Sequence, residues 1–367
     1  MVAKRTKPLE MVDPEKREIA SIEQLLQKGQ YTQVIAAADA FQSRNPFSMK
    51  IQKARYYKGN ALEELERYAE AAEVYRIISL FSERNQPEIS ALAVYRLSFV
   101  YEAQGDDQRV LTTLLEARQY QTYLPTEVSL AEIPSRISMI YAKENNPEQA
   151  RRWLAEAETG LAKLLVNRRE PLTSDWLAKI YYNMGSVSTS QLSRENVLTI
   201  IQGQRAVQKF MLRSMQYEDP EWSSKAEKRL QTTYTDIWNL IENLPETVGV
   251  EAIVAAKMKR EQQVQLAEPF SDMLKDALLF RPADPSKSNI YQKEFFAFLA
   301  VMQTKISGVM QGGIYTPVVT EPKSPAQRPK PKVQVPASIF SQVKGGKPYA
   351  TLLMSFAQDL FKDGNAQ

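Results

Sequence analysis

Gly29-Gln30-Tyr31-Thr32-Gln33-Val34 and Glu66-Arg67-Tyr68-Ala69-Glu70-Ala71 are two versions of one local pattern. In each, a turn residue is followed two positions on by a tyrosine and five positions on by a small or β-branched residue. Equivalent turns recur at Gly105 and Asn145, so the four are separated by 37, 39 and 40 residues. That period fits a helical hairpin repeated four times. A single hairpin cannot bury its own apolar face, so the pattern predicts neighbours stacked into a continuous core with a long concave surface.

The second copy is the most complete, with Gly59 and Leu62 before the turn and Tyr68, Ala71, Tyr75 and Ile78 after it. The first has Gly29, Tyr31, Val34, Ala38, Phe41 and a terminal Pro46. The third keeps Tyr101, Gly105, Val110, Leu114 and Ala117, and the fourth Tyr141, Pro147, Ala150, Leu154 and Ala157. Residues three and four apart share a helix face, so the small ones let two helices approach while the aromatic fills the space beside them.

Over residues 15–165 this pattern resembles a tetratricopeptide repeat array. Its spacings exceed the roughly 34 residues usual there, which is similar to the bacterial envelope members of that family. The resemblance implies an all-α, right-handed solenoid of helical hairpins whose first helices line the concave groove. By position the groove would carry Lys53, Tyr56, Asn60 and Glu63, then Leu92, Tyr95, Phe99 and Glu102, then Glu132, Ser135, Met139 and Lys143. A peptide or protein site of Lys53, Tyr56, Asn60, Leu92, Tyr95, Arg96, Phe99 and Met139 is therefore expected. Its aromatics would hold apolar side chains of an extended peptide or helix, and Asn60 would bond its backbone. The same aromatics have a second reading, packing against neighbouring repeats or the C-terminal segment. Asn60 and Arg96 also suit a grip on paired carboxylates, but Ile19, Glu23 and Leu92 stand where Lys or Asn would be needed, which argues against that mode.

Composition narrows the function. The 367 residues include no Cys and no His, which removes disulfides, thiolate nucleophiles, imidazole bases and nearly every zinc site. No enzyme activity, cofactor or metal is expected. The net charge is +4, yet residues 18–160 carry 16 Lys and Arg against 20 Asp and Glu. The positive excess lies near the ends, at Lys4, Arg5, Lys7, Lys16 and Arg17 and at Lys323, Arg328, Lys330 and Lys332. Solubilising ends are the reading, with no specific nucleic-acid partner. The longest apolar run, near Phe295–Met302, falls far short of the roughly 18 residues that span a bilayer. Met1-Val-Ala-Lys-Arg-Thr-Lys starts positively with no apolar stretch behind it, so the expectation is cytoplasmic, with a mature periplasmic or envelope protein as the alternative.

The expected organisation is a basic segment at 1–14, repeats at 15–165 and degenerate helical repeats or a helical domain at 166–313. A proline-rich linker at 314–345 comes next, then an amphipathic helix and tail at 346–367. Trp176, Ile180, Tyr181 and Met184-Gly185 look like the start of a further hairpin. Apolar stripes continue through Leu198, Ile201, Val207, Phe210 and Met211, then Leu230, Tyr234, Ile237, Trp238 and Ile241. Helical spacing makes Trp222, Trp238, Phe295 and Phe296 core residues, and Gly312-Gly313 reads as a helix end. Tyr349, Leu352, Leu353, Phe356 and Leu360 share one helical face, and helix 347–362 is expected to dock as a cap, in the groove, or on a partner. The functional expectation is a non-catalytic interaction scaffold or adaptor. Its alternatives are a structural subunit of a larger assembly, including a cell-envelope one, and an enzyme-associated helical domain.

Overall fold

The computed structural model describes residues 13–82, 84–167, 172–187 and 197–311. Among these there are thirteen α-helices and no strand. The described residues are all-α, as the periodicity predicts. The linker at 314–345 and helix 347–362 lie outside the described residues, as does nearly all of the basic segment 1–14.

The described residues divide into two compact units at 129/130. The first contains α1 (Pro14–Gln27), α2 (Tyr31–Arg44), α3 (Ile51–Glu64), α4 (Tyr68–Ser82), α5 (Pro87–Ala103) and α6 (Asp107–Gln119). The second contains α7 (Ile133–Lys143), α8 (Pro147–Asn167), α9 (Ser174–Gly185), α10 (Val197–Gln216), α11 (Trp222–Glu242), α12 (Ala252–Leu278) and α13 (Ile290–Met310). A π-helical turn, Val128–Glu132, lies at the division. The boundary expected at 165/166 falls inside the second unit, because α7 and α8 pack together and both touch α9.

All four turns read from the sequence are built alike. Gly29, Glu66, Gly105 and Asn145 have φ of 70°, 58°, 72° and 55°, the left-handed conformation that ends a helix. Their own N–H groups donate to Leu26, Glu63, Glu102 and Ala142, three residues back. The next N–H in each case reaches back five residues, to Leu25, Leu62, Tyr101 and Tyr141. This double bond pattern satisfies the orphan carbonyls at the helix end and sends the chain back on itself. A fifth left-handed residue, Glu218 at φ 55°, closes α10, but the following N–H of Asp219 bonds to the Ser223 hydroxyl instead.

Helix starts are equally local. Asp13 and Asp106 cap α1 and α6 by accepting from the backbone N–H of Glu15 and Arg109, and Asn289 with Gln292 forms a reciprocal capping box on α13. In the first unit each helix packs on the next, and α1 touches α3 as α3 touches α5. In the second unit α7 touches α9 and α9 touches α11 in the same alternation. Close approach depends on small residues. A Cβ on Gly59 would stand 2.6 Å from the Tyr75 ring, and one on Gly160 would stand 1.8 Å from the carbonyl oxygen of Leu130.

From α10 onward the alternation gives way to a bundle in which α10 touches α12 and α13, and α11 touches both as well. Its core brings together Met211, Met215, Leu230, Ile237, Trp238, Phe270, Phe295 and Leu299. Tyr234 sits among Phe270, Phe295 and Phe298, with ring centroids 5.9–6.5 Å away. Trp238 and Phe295 are core residues as expected, while Trp222 is only half-buried. No described helix is long and apolar enough to cross a membrane.

Candidate functional site

The residues expected to line a groove fall on α3 and α5 because their spacing puts Lys53, Tyr56, Asn60 and Glu63 on one face, and Leu92, Tyr95, Arg96 and Phe99 on another. α3 and α5 touch, so the structure brings these two faces together. It also seals them. Tyr56, Asn60, Leu92, Tyr95 and Arg96 are all buried, and Arg96 has no exposed surface at all. Lys53 and Phe99 keep partial exposure. Met139 lies on α7, in the second unit, and is half-buried there. The groove set therefore divides into five buried residues and three that retain surface.

The buried part is an ion pair with an aromatic frame. Arg96 Nε donates to Glu63 Oε1 at 3.1 Å while its Nη2 donates to Oε2, the bidentate arrangement that suits guanidinium and carboxylate. From α4, the Tyr75 hydroxyl approaches Glu63 Oε1 and, at 2.6 Å, the Asn60 side-chain amide. A phenol has one proton, and the carboxylate is the stronger acceptor. Asn60 Oδ1 is the second acceptor facing the phenol, so Glu63 and Asn60 share one donor. Tyr56 stands 6.0 Å from the Tyr75 ring, Tyr95 meets Phe99 edge-on at 5.1 Å, and the Arg96 guanidinium lies 5.4 Å over Phe99.

Electrostatics follow from burial. Desolvation pushes the Glu63 carboxyl above its ordinary value, with Arg96 and Tyr75 pulling it back. Burial opposes the charge on Arg96, but the Glu63 carboxylate overrides it and holds the guanidinium above its usual value. The neighbouring Glu64 accepts from the Tyr31 hydroxyl of α2 at 3.2 Å. Burial raises Glu64 to about 7, against the opposing pull of Arg96 and Tyr31, and Glu63 adds to the rise. Tyr31 is pushed up to about 12, by burial first and by Glu64 second. Lys53, 5.7 Å over the Tyr57 ring, is lowered by burial.

The second unit has a comparable buried charge. Glu132 has no exposed surface and accepts from Trp176 Nε1 at 3.1 Å and from Lys179 Nζ at 2.8 Å, both on α9. Helical position puts Glu63 and Glu132 on inner faces and makes Arg96 a candidate for a carboxylate grip, but it pairs none of them with their partners. The available signal was a charged residue at the centre of an otherwise apolar helix, as with Arg96 between Leu92, Val94, Leu97 and Val100. Among the described residues no group of three or more acidic side chains is placed to hold a metal ion. The chemistry these clusters supply is fixed charge at a helix interface, with one carboxyl, Glu64, titrating near neutrality.

No family model matches the chain, and no curated protein matches it. Among solved structures, BtubC (BKLC) from P. vanneervenii aligns over 83% of this chain and 95% of its own, at 14% identity and a TM-score of 0.36. A likeness at that level carries no argument about the site or its function.

Proposed function

We propose that the chain is a non-catalytic scaffold of the tetratricopeptide type, a right-handed stack of helical hairpins that binds a protein or peptide partner. The observation carrying this reading is the fourfold turn at Gly29, Glu66, Gly105 and Asn145, with its shared left-handed backbone and bond pattern. The contacts of α1 with α3 and α3 with α5 support it, since stacked hairpins place successive first helices side by side. In this reading Tyr56, Asn60, Tyr95 and Arg96 hold the stack in register, and recognition falls to the residues with remaining surface, Lys53 and Phe99 in the first unit. The test is capture of partners from cells of the source organism with wild-type chain and with a Lys53→Glu, Phe99→Ala double variant of unchanged helicity. Loss of the same partners from the variant supports the concave face. Full retention would remove it from consideration.

A subunit of a larger assembly is the second reading, and one observation favours it. Phe47, 97% exposed, lies on the α2–α3 connection with exposed Met49, and Leu80 and Phe81 are exposed at the end of α4. Gln86 Nε2 donates to the Met49 carbonyl at 2.8 Å, so these apolar residues share one end of the unit. Concentration-dependent mass in solution, abolished by Phe47→Ser with Phe81→Ser, is the expected signature.

A further inference from the structure

Helix α12 has two unlike faces. The inward one carries the buried Ala255, Ala267, Phe270, Met273, Leu274 and Ala277. Arg260 and Gln263, both half-buried, belong to the same side. Arg260 donates to the carbonyls of Gly308 and Val309 at the end of α13, and Gln263 to those of Ile241 and Glu242 at the end of α11. Both contacts fall more than two turns into α12, so its first turns begin beyond the ends of those two helices.

The outward face is patterned as well. Val254, Lys257, Glu261, Val264 and Glu268 follow one another at spacings of three, four, three and four, and all are exposed except the half-buried Val264. That alternation is the seam along which one helix packs on another. Around the start of the seam, Ile253 is 83% exposed and Val248 96%, with Val250 and Met258 exposed beside them. Together with Val254 these residues leave about 500 Å2 in water, a patch of the size that marks an association site.

The order of residues along the seam selects what fits it. Reversed end for end about Lys259, the seam matches itself, with 254 falling on 264 and 257 on 261. Val254 then meets Val264, and the Lys257 ammonium meets the Glu261 carboxylate. A parallel pair would set Lys257 on Lys257 and Glu261 on Glu261, which repel. Charge around the apolar end balances too, with Glu246, Glu251 and Glu261 against Lys257, Lys259 and Arg260. It offers no net charge to an anionic membrane or to an acidic partner. We infer that a second copy of this chain packs antiparallel along the outward face of α12, about a two-fold axis near Lys259, pairing Lys257 of each copy with Glu261 of the other and Val254 of each with Val264 of the other. Two copies bring about 1,000 Å2 of surface from apolar residues to the contact, the size at which specific interfaces begin. The pairing stands apart from the concave-face reading and uses no residue of the Phe47 patch.

The test is charge reversal in the full-length chain, read as mass in solution by sedimentation over a range of concentrations. Wild type is expected as a dimer that dissociates on dilution. Lys257→Glu alone and Glu261→Lys alone each set like charges against one another across the seam, and each weakens the dimer at least about tenfold. An equimolar mixture of the two variants restores opposite charges at both contacts, so association returns toward wild-type strength as heterodimers form. Both positions are exposed, so the variants are expected to keep wild-type helicity. A wild-type monomer at every concentration overturns the pairing, whether the face is then covered by residues beyond 311, by a different protein or by nothing. A dimer untouched by the single variants, or one not restored in the mixture, overturns it too. A dimer lost only in Phe47→Ser with Phe81→Ser assigns self-association to the first unit and overturns it as well.

Discussion

At the centre of the first unit, α3 meets α5 through Glu63 and Arg96 and meets α4 through Asn60 and Tyr75; at the centre of the α10–α13 bundle, the helices meet through Tyr234, Phe270, Phe295 and Trp238. Both interiors are closed to solvent, but they specify their packing differently. A stack of hairpins has only narrow seams between successive first helices, and an apolar seam of that kind slides with little cost. An ion pair that must be bidentate and desolvated allows one alignment, the registry role for which buried charge is best attested. A four-helix core has volume on all sides, so complementary rings set the alignment and the principal polar link is Gln208, joined to Tyr234 and to the Met273 carbonyl.

Removing one partner from each interior puts that contrast under the most strain. Arg96→Met leaves Glu63 buried and unpaired, and is expected to lose about 3–5 kcal/mol. Adding Glu63→Leu should recover most of it, read by chemical denaturation. Were the double variant no better than the single one, the seam would owe its stability to packing alone. In the bundle, Phe295→Ala is expected to lose a similar amount, about 3–5 kcal/mol, from lost transfer energy and the cavity left behind. There, adding Phe270→Ala should deepen the loss, since no unpaired charge exists to be relieved.

Titration separates the two interiors as well. Glu64 is raised from 4.5 to about 7 in the folded chain, chiefly by burial, so the native state retains a proton that the unfolded state has released. Its contribution is complete below pH 4.5 and is lost as pH rises through 7. The expected fall is on the order of 2 kcal/mol. Glu64→Gln keeps the Tyr31 bond without the titration and should flatten stability across that range. A slope unchanged in the variant would show that Glu64 is ordinarily ionised in the fold. The smallest effect concerns the turns. Glu66 holds a left-handed φ that Gly29 and Gly105 adopt without strain, so Glu66→Gly should stabilise by about 0.5 kcal/mol, visible as a small rise in melting temperature.

Local features were legible in the residues alone. The turns at Gly29, Glu66, Gly105 and Asn145, the helices they join and the fit of Tyr75 over Gly59 could be read because hydrogen bonds and side-chain contacts within one hairpin set them. The all-α class and the core roles of Trp238 and Phe295 were legible from apolar periodicity for the same reason. The fate of the inner faces was settled only when the helices packed. Helical spacing shows that Tyr56, Asn60, Tyr95 and Arg96 point the same way as their neighbours, but not whether that direction meets water or another helix. Pairing Glu63 with Arg96, 33 residues apart, or Glu132 with Lys179, 47 apart, needs the distance between helices, which no single helix encodes. The division at 129/130 and the change from alternating stack to bundle after α10 were hidden likewise, since both depend on which faces find each other once the helices exist.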